Sequence, residues 1–223
     1  CSKRAEEEIR ARIAPYGIHG IHFLDSGNYH YVTGIMTALI KQKFSLILLD
    51  HHTDMQKPMI EHMTSCGDWA GKVLKTNPWL QQLILIGPQE SDILQIYREK
   101  EGLVSDEELQ EKLITFSEEE IQSVEDENKI SRIKRNLPVY ISIDKDILDE
   151  EYSETNWSQG KMPLPVLERL LMPFLKSGNI LGIDICGECQ QGISLPQYLE
   201  AEQINGETNK ELFDFLMHYC RNF

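Results

Sequence analysis

The sequence has no apolar run near the ~20 residues that a helix needs to cross a bilayer. Its first residues, Cys1-Ser2-Lys3-Arg4-Ala5-Glu6-Glu7-Glu8, are charged where a secretory leader would be apolar. Both absences lead to the expectation of a cytoplasmic protein with no membrane partner. Basic residues are few: 22 Lys and Arg stand against 36 Asp and Glu, a net charge of -14. No basic patch is large enough to serve a nucleic acid, whereas a small cationic substrate suits the field. Cysteine is sparse and odd in number. Cys1, Cys66, Cys186, Cys189 and Cys220 are scattered, unlike a disulfide framework, so reduced thiols are expected. Cys186-Gly187-Glu188-Cys189 forms a C-x-x-C, a spacing seen in redox pairs and half zinc sites. No second pair or nearby His-x-x-x-His completes a zinc site, so a pair of small residues lining a strand end is the reading preferred there. Repeats and linkers are lacking too, and the 223 residues are expected to fold as a single α/β domain spanning 1–223.

What the sequence does contain is an apolar run that stops in acids. Ser45-Leu46-Ile47-Leu48-Leu49 is too short for an independent helix and reads as a buried strand. It ends in Asp50-His51-His52-Thr53-Asp54, which no core accepts unless a positive charge sits among them. Alternate side chains of an extended segment share a side, so Asp50, His52 and Asp54 should face one way and His51 the other. Far downstream, Val139-Tyr140-Ile141-Ser142-Ile143 ends likewise in Asp144-Lys145-Asp146-Ile147-Leu148-Asp149. Alternation brings Asp144 and Asp146 together and turns Lys145 away. Four Asp and one His carry more negative charge than one divalent ion neutralises. Two ions bridged by shared carboxylates fit better, and oxygen with imidazole suits manganese over a thiolate-seeking metal.

Strand and helix patterns alternate along the chain. Residues 2–13 read as an amphipathic helix broken at Pro15-Tyr16-Gly17, and 18–24 as a first strand. Gly27 lets the chain turn sharply after that strand, and 31–41 has helical spacing, which sets His30 at a strand-to-helix handover, where open α/β sheets bind ligands. A loop over the site is expected at 55–67, a helix at 68–75 and a strand at 83–88. The acidic stretch 91–136 suggests two helices capped by Ser105 and Ser117, each followed by Glu at the third position. A helix from about 163 to 176, a strand at 180–186 and a closing helix at 209–219 complete the pattern. The crossovers are long enough for parallel pairs, giving a three-layer α/β/α fold with a mostly parallel central sheet.

Three motifs together resemble the ureohydrolase family of arginase, agmatinase and formimidoylglutamase. They are Ser26-Gly27-Asn28-Tyr29-His30, the D-x-H-x-D of Asp50 to Asp54, and the S-x-D-x-D-x-x-D of Ser142 to Asp149. The resemblance covers roughly positions 20 to 190 and implies an arginase-like fold. It implies one Mn2+ held by His30, Asp50, Asp54 and Asp144, a second by His52, Asp50, Asp144 and Asp146, with Asp50 and Asp144 bridging. A water shared by the two ions would attack a guanidinium carbon to release urea and an amine, Asp54 passing the proton. Glu188 would receive the guanidinium, although the family's D-x-x-E has its Glu one residue earlier than Asp184-Ile185-Cys186-Gly187-Glu188 places it. Gln56 stands where arginases carry a substrate-binding Asn. Ala70 replaces the proton-shuttling His, with His62 or His51 as stand-ins. The departures suggest an unusual guanidino substrate, such as the arginine side chain of a peptide. By resemblance the chain would assemble as a trimer or hexamer.

Two other readings compete. A manganese phosphoesterase of the DHH type also ends an aliphatic strand in Asp-His-His, but carries its D-x-D elements before that triplet rather than after it. A non-catalytic relative that keeps the fold and the metal is the other. An EF-hand is excluded for Asp144 to Thr155, because its sixth and twelfth positions are Asp149 and Thr155 instead of Gly and Glu.

Overall fold

The computed structural model describes residues 1–98, 106–122, 127–189 and 194–220. Six apolar segments pair side by side: β1 (Ile21–Phe23), β2 (Phe44–Leu49), β3 (Leu80–Ile86), β4 (Leu113–Phe116), β5 (Val139–Asp144) and β6 (Ile180–Cys186). They lie in the order β1-β6-β5-β2-β3-β4, and every pairing is parallel. Parallel neighbours need crossovers. These contain α2 (Tyr31–Thr37), α3 (Trp69–Thr76), α4 (Glu90–Arg98), α5 (Asp106–Lys112), α6 (Glu118–Gln122), α7 (Glu127–Ser131) and α8 (Leu164–Leu175), while α1 (Lys3–Ile13) and α9 (Leu195–Tyr219) sit at the two ends. Among the described residues no helix is long and apolar enough to cross a membrane.

Alternation along the strands divides the core in two. Ile47, Leu49, Ile84, Ile141, Ile143 and Ile183 pack with Leu167 and Leu171 of α8 and Leu212 and Leu216 of α9. Leu46, Leu48, Leu83, Leu85 and Tyr140 pack on the opposite face with Met36 of α2, Trp69 and Leu74 of α3 and Leu109 of α5. Both faces of the sheet are therefore covered, the three-layer α/β/α arrangement that the pattern led us to expect.

Two stretches differ from the sequence reading. The acidic stretch holds a strand as well as helices: Leu113-Ile114-Thr115-Phe116 is apolar enough to pair with β3 at the sheet's edge. The Ser117 box forms as expected, with the Glu120 carboxylate accepting the Ser117 N–H at 2.9 Å and Ser117 Oγ accepting the Glu120 N–H at 3.2 Å. Ser105 lies outside the described residues. The closing helix begins at Leu195, far earlier than its apolar spacing suggested, because Ser194 and Gln197 cap it and Pro196 suits a first turn.

The topology sets the position of the site. From β2 the chain moves outward to β3 and β4, then returns on the other side of β2 as β5, with Leu49 beside Ile143. A crevice opens at such a reversal, at the carboxyl ends of the strands. Both acidic motifs begin there.

Candidate metal centre

At the end of β2 the chain leaves extended geometry, and Asp54 sits at φ +51, a left-handed conformation that Asp tolerates better than most residues. That bend turns the Asp54 carbonyl toward α3, where it accepts the N–H groups of Ala70 and Gly71 at 3.0 and 3.2 Å. At the end of β5 the chain tightens into a 3-10 turn over Lys145–Ile147, with Asp144 Oδ1 accepting the Asp146 N–H at 3.1 Å. Asp144 and Asp146 are thus gathered by a turn rather than by strand alternation. Gly27 owes its place to close approach: a Cβ there would lie 3.0 Å from Asp144 Oδ2 and 3.2 Å from Trp157 Cδ1.

His30, Asp50, Asp54 and Asp144 converge beneath the surface, each at most 5% exposed. His30 Nδ1 lies 3.2 Å from Asp50 Oδ2, 3.2 Å from Asp54 Oδ2 and 3.3 Å from Asp144 Oδ2. Its other nitrogen, Nε2, is 2.9 Å from Ser142 Oγ. Ser142 gives its single proton to Asp184 at 2.6 Å, so the His30 Nε2–H donates to Ser142 and Nδ1 is left facing three carboxylates. One imidazole nitrogen and three carboxyl groups turned to one buried spot suit a cation.

A second group stands beside the first. His52 Nδ1 lies 2.8 Å from Asp146 Oδ2 and 3.5 Å from Asp50 Oδ1, while His52 Nε2 meets Ser158 Oγ at 3.0 Å. Asp50 thus turns one oxygen to each group, as a bridging carboxylate would. Asp144 joins the first group through Oδ2. The donor atoms fall into the sets His30-Asp50-Asp54, His30-Asp144-Cys186 and Asp50-His52-Asp146, each within 4.8 Å. Asp50 Oδ2 is buried yet accepts no hydrogen bond, as expected of an atom whose partner is an ion. The donor chemistry fits a pair of divalent cations.

Charge without metal is divided unevenly among these groups. Burial and the Asp50 charge push Asp54 up to about 7. Burial with the charges of Asp144 and Asp50 drives Asp146 well above the usual carboxylate range. Burial works against Asp50, but the adjoining His30 and His52 rings hold it well below that range. The imidazoles take up the missing positive charge. Burial opposes protonation of His52, and the Asp146 and Asp50 carboxylates overcome it and raise the ring to about 11.

The remaining expected residues are placed as follows. His51 is buried and belongs to none of the donor sets found among the described residues, and burial together with His52 lowers its basicity. Gln56 is exposed on the loop that follows Asp54, against Gly67. His62 is also exposed there, and Ala70 is fully buried on α3. Glu188 is half-buried and paired: its Oε1 accepts from Lys145 Nζ at 2.6 Å and from Asn209 Nδ2 at 2.7 Å. Lys145 turns from the acids as expected, but into the interior, where its side chain has no exposure. Ser142, Trp69, Trp157 and Cys186 belong to the site without having been assigned a role from sequence. Trp69 Nε1 donates to Asp54 Oδ2, and the Trp157 ring stands 5.8 Å from that of His52. Polar residues in otherwise apolar parallel strands were the available signal: Ser142 of β5 is paired in register with Asp184 of β6.

A statistical description of the Arginase family matches residues 18–186, three-quarters of the chain. The chain belongs to the arginase family. A Thermotoga maritima protein described only as uncharacterized is 31% identical over 202 residues, covering 90% of this chain and 70% of that one. Helicobacter pylori arginase shares the fold with a TM-score of 0.62 at 15% identity, over 97% of this chain and 76% of that one. Trypanosoma cruzi formiminoglutamase, solved with Mn2+, superposes with a TM-score of 0.68 at 12% identity, over 98% and 72%. The agmatine ureohydrolase of Thermoplasma volcanium gives 0.66 at 16% identity, over 96% and 67%. Hydrolases of the arginase family act on C–N bonds. Gly187, which follows β6, has φ +98. A Cβ there would lie 2.7 Å from Asp144 Oδ1, so no side chain fits at that position.

Proposed function

We propose that the protein is a binuclear metal hydrolase of the ureohydrolase type, with two Mn2+ or similar ions, that cleaves a guanidinium or amidine-like group. The observation that carries this reading is the His30 Nδ1 atom directed at three buried carboxylates, beside a second donor set that shares Asp50. His30, Asp50, Asp54 and Asp144 would hold one ion, and Asp50, His52 and Asp146 the other. When bound, the ions would supply Lewis acidity that brings a water's pKa from ~15.7 towards about 7. Asp54, at the edge of both the ion position and the indole of Trp69, would accept a proton and return it to the departing amine. The indole of Trp69 orients that carboxylate through Oδ2.

A guanidinium that reaches Glu188 must share it with the Lys145 ammonium, and this favours a weakly held or peptide-borne arginine side chain over tight capture of a free amino acid. Trp157, 41% exposed beside His52, offers a ring face to a flat cation at the mouth. The test is urea release from agmatine, free arginine and arginine-containing peptides with manganese supplied. Urea from one class and not the others names the substrate. Metal binding without urea from any guanidine would move the reading to another amidine or to a non-catalytic metal protein.

A further inference from the structure

Cys186 ends β6 directly beside the end of β5. The register pairs Ser142 with Asp184 and Asp144 with Cys186, so Asp184 and Cys186 stand on one side of their strand. Asp184 meets Ser142 at 2.6 Å, and Cys186 Sγ meets Asp144 Oδ2 at 3.1 Å. The thiol is buried, 1% exposed. Its sulfur, a His30 ring nitrogen and the Asp144 carboxylate form one cluster within 4.8 Å. Donors at right angles around one ion, with nitrogen or oxygen at ~2.1 Å and sulfur at ~2.3 Å, lie about 3 Å apart. The spacings around His30 Nδ1 and Asp144 Oδ2, 3.1–3.3 Å, match that geometry. Asp50 Oδ2, 3.2 Å from His30 Nδ1 and accepting no hydrogen bond, points into the same place.

We infer that Cys186 is a ligand of the ion held at His30, giving that position a thiolate in addition to imidazole and carboxylates. The inference rests on the two-ion reading above. On loading, the thiol proton leaves to solvent and a sulfur–metal bond forms, with no oxidation of either partner. The consequence is unequal metal preference: sulfur draws the His30 position towards Zn2+, Co2+ or Fe2+, while the oxygen-and-imidazole position at His52 stays suited to Mn2+. Composition alone had pointed to manganese at both.

The test is the near-ultraviolet spectrum of the full chain loaded with Co2+, together with the number of cobalt ions bound. The inference expects a thiolate-to-cobalt charge-transfer band that saturates at one ion per chain. The band should vanish in Cys186→Ser and Cys186→Ala and persist in Cys189→Ser and Cys66→Ser. Chelator competition should also show the Zn2+-over-Mn2+ preference falling by ~10-fold or more in Cys186→Ser. Two bound cobalt ions without the band, or a band that survives both Cys186 substitutions, would overturn the inference and leave the two-ion reading standing. Failure of the intact protein to bind any cobalt would remove both.

Discussion

Single atoms decide the character of this site. Ser142 is a small hydroxyl in a buried strand, yet its one proton goes to Asp184, and this fixes which His30 nitrogen faces the acids. Ser142→Ala removes that restraint without enlarging any side chain. It is expected to weaken metal binding by ~10–100-fold while the far-ultraviolet spectrum stays unchanged. Affinity equal to that of the parent would show that the ring is held by other means. Lys145 makes the opposite point about what one residue discloses in a sequence. Its alternation away from Asp144 and Asp146 is legible, but the carboxylate waiting for it is not, because Glu188 and Asn209 come from elements 43 and 64 residues further on.

At the scale of elements, the motifs that end β2 and β5 were readable because each is an apolar run stopped by acids. The helix–strand alternation gave the layers. What the sequence concealed is how each strand end bends. The left-handed Asp54 goes with its carbonyl's bonds to α3, and the 3-10 turn after Asp144 with that side chain's bond to the Asp146 N–H, neither of which strand alternation announces. The strand β4 was masked by surrounding acids, since its four residues are too few to announce a period. The turn after β6 shows what such geometry demands. At Gly187, φ is +98 and the backbone N of Lys145 lies 2.8 Å from where a Cβ would be. Gly187→Ala is expected to cost about 1–3 kcal/mol, read from denaturant midpoints. An unchanged midpoint would mean that the turn can shift away from Asp144.

For the whole molecule, the fold places four buried aspartates at the crevice between β2 and β5, and their charge makes stability depend on pH and metal. Asp54 binds a proton more tightly folded than unfolded, rising from 3.8 to about 7, so its contribution falls as pH climbs through that interval. His52 rises from 6.5 to about 11, so its stabilising charge is fully present below 6.5 and is lost as pH climbs towards 11. Metal acts in the other sense, because ligands must shed protons to bind it and the stabilisation therefore grows with pH.

Thermal unfolding with chelator and with added Mn2+, at about pH 5.5 and about pH 8.5, tests the central claim most directly. The account predicts that the chelated protein melts lower at the higher pH and that the gap opened by metal widens there. Identical melting with and without metal at the higher pH would contradict it, leaving the clustered acids without the cations on which the proposed chemistry depends.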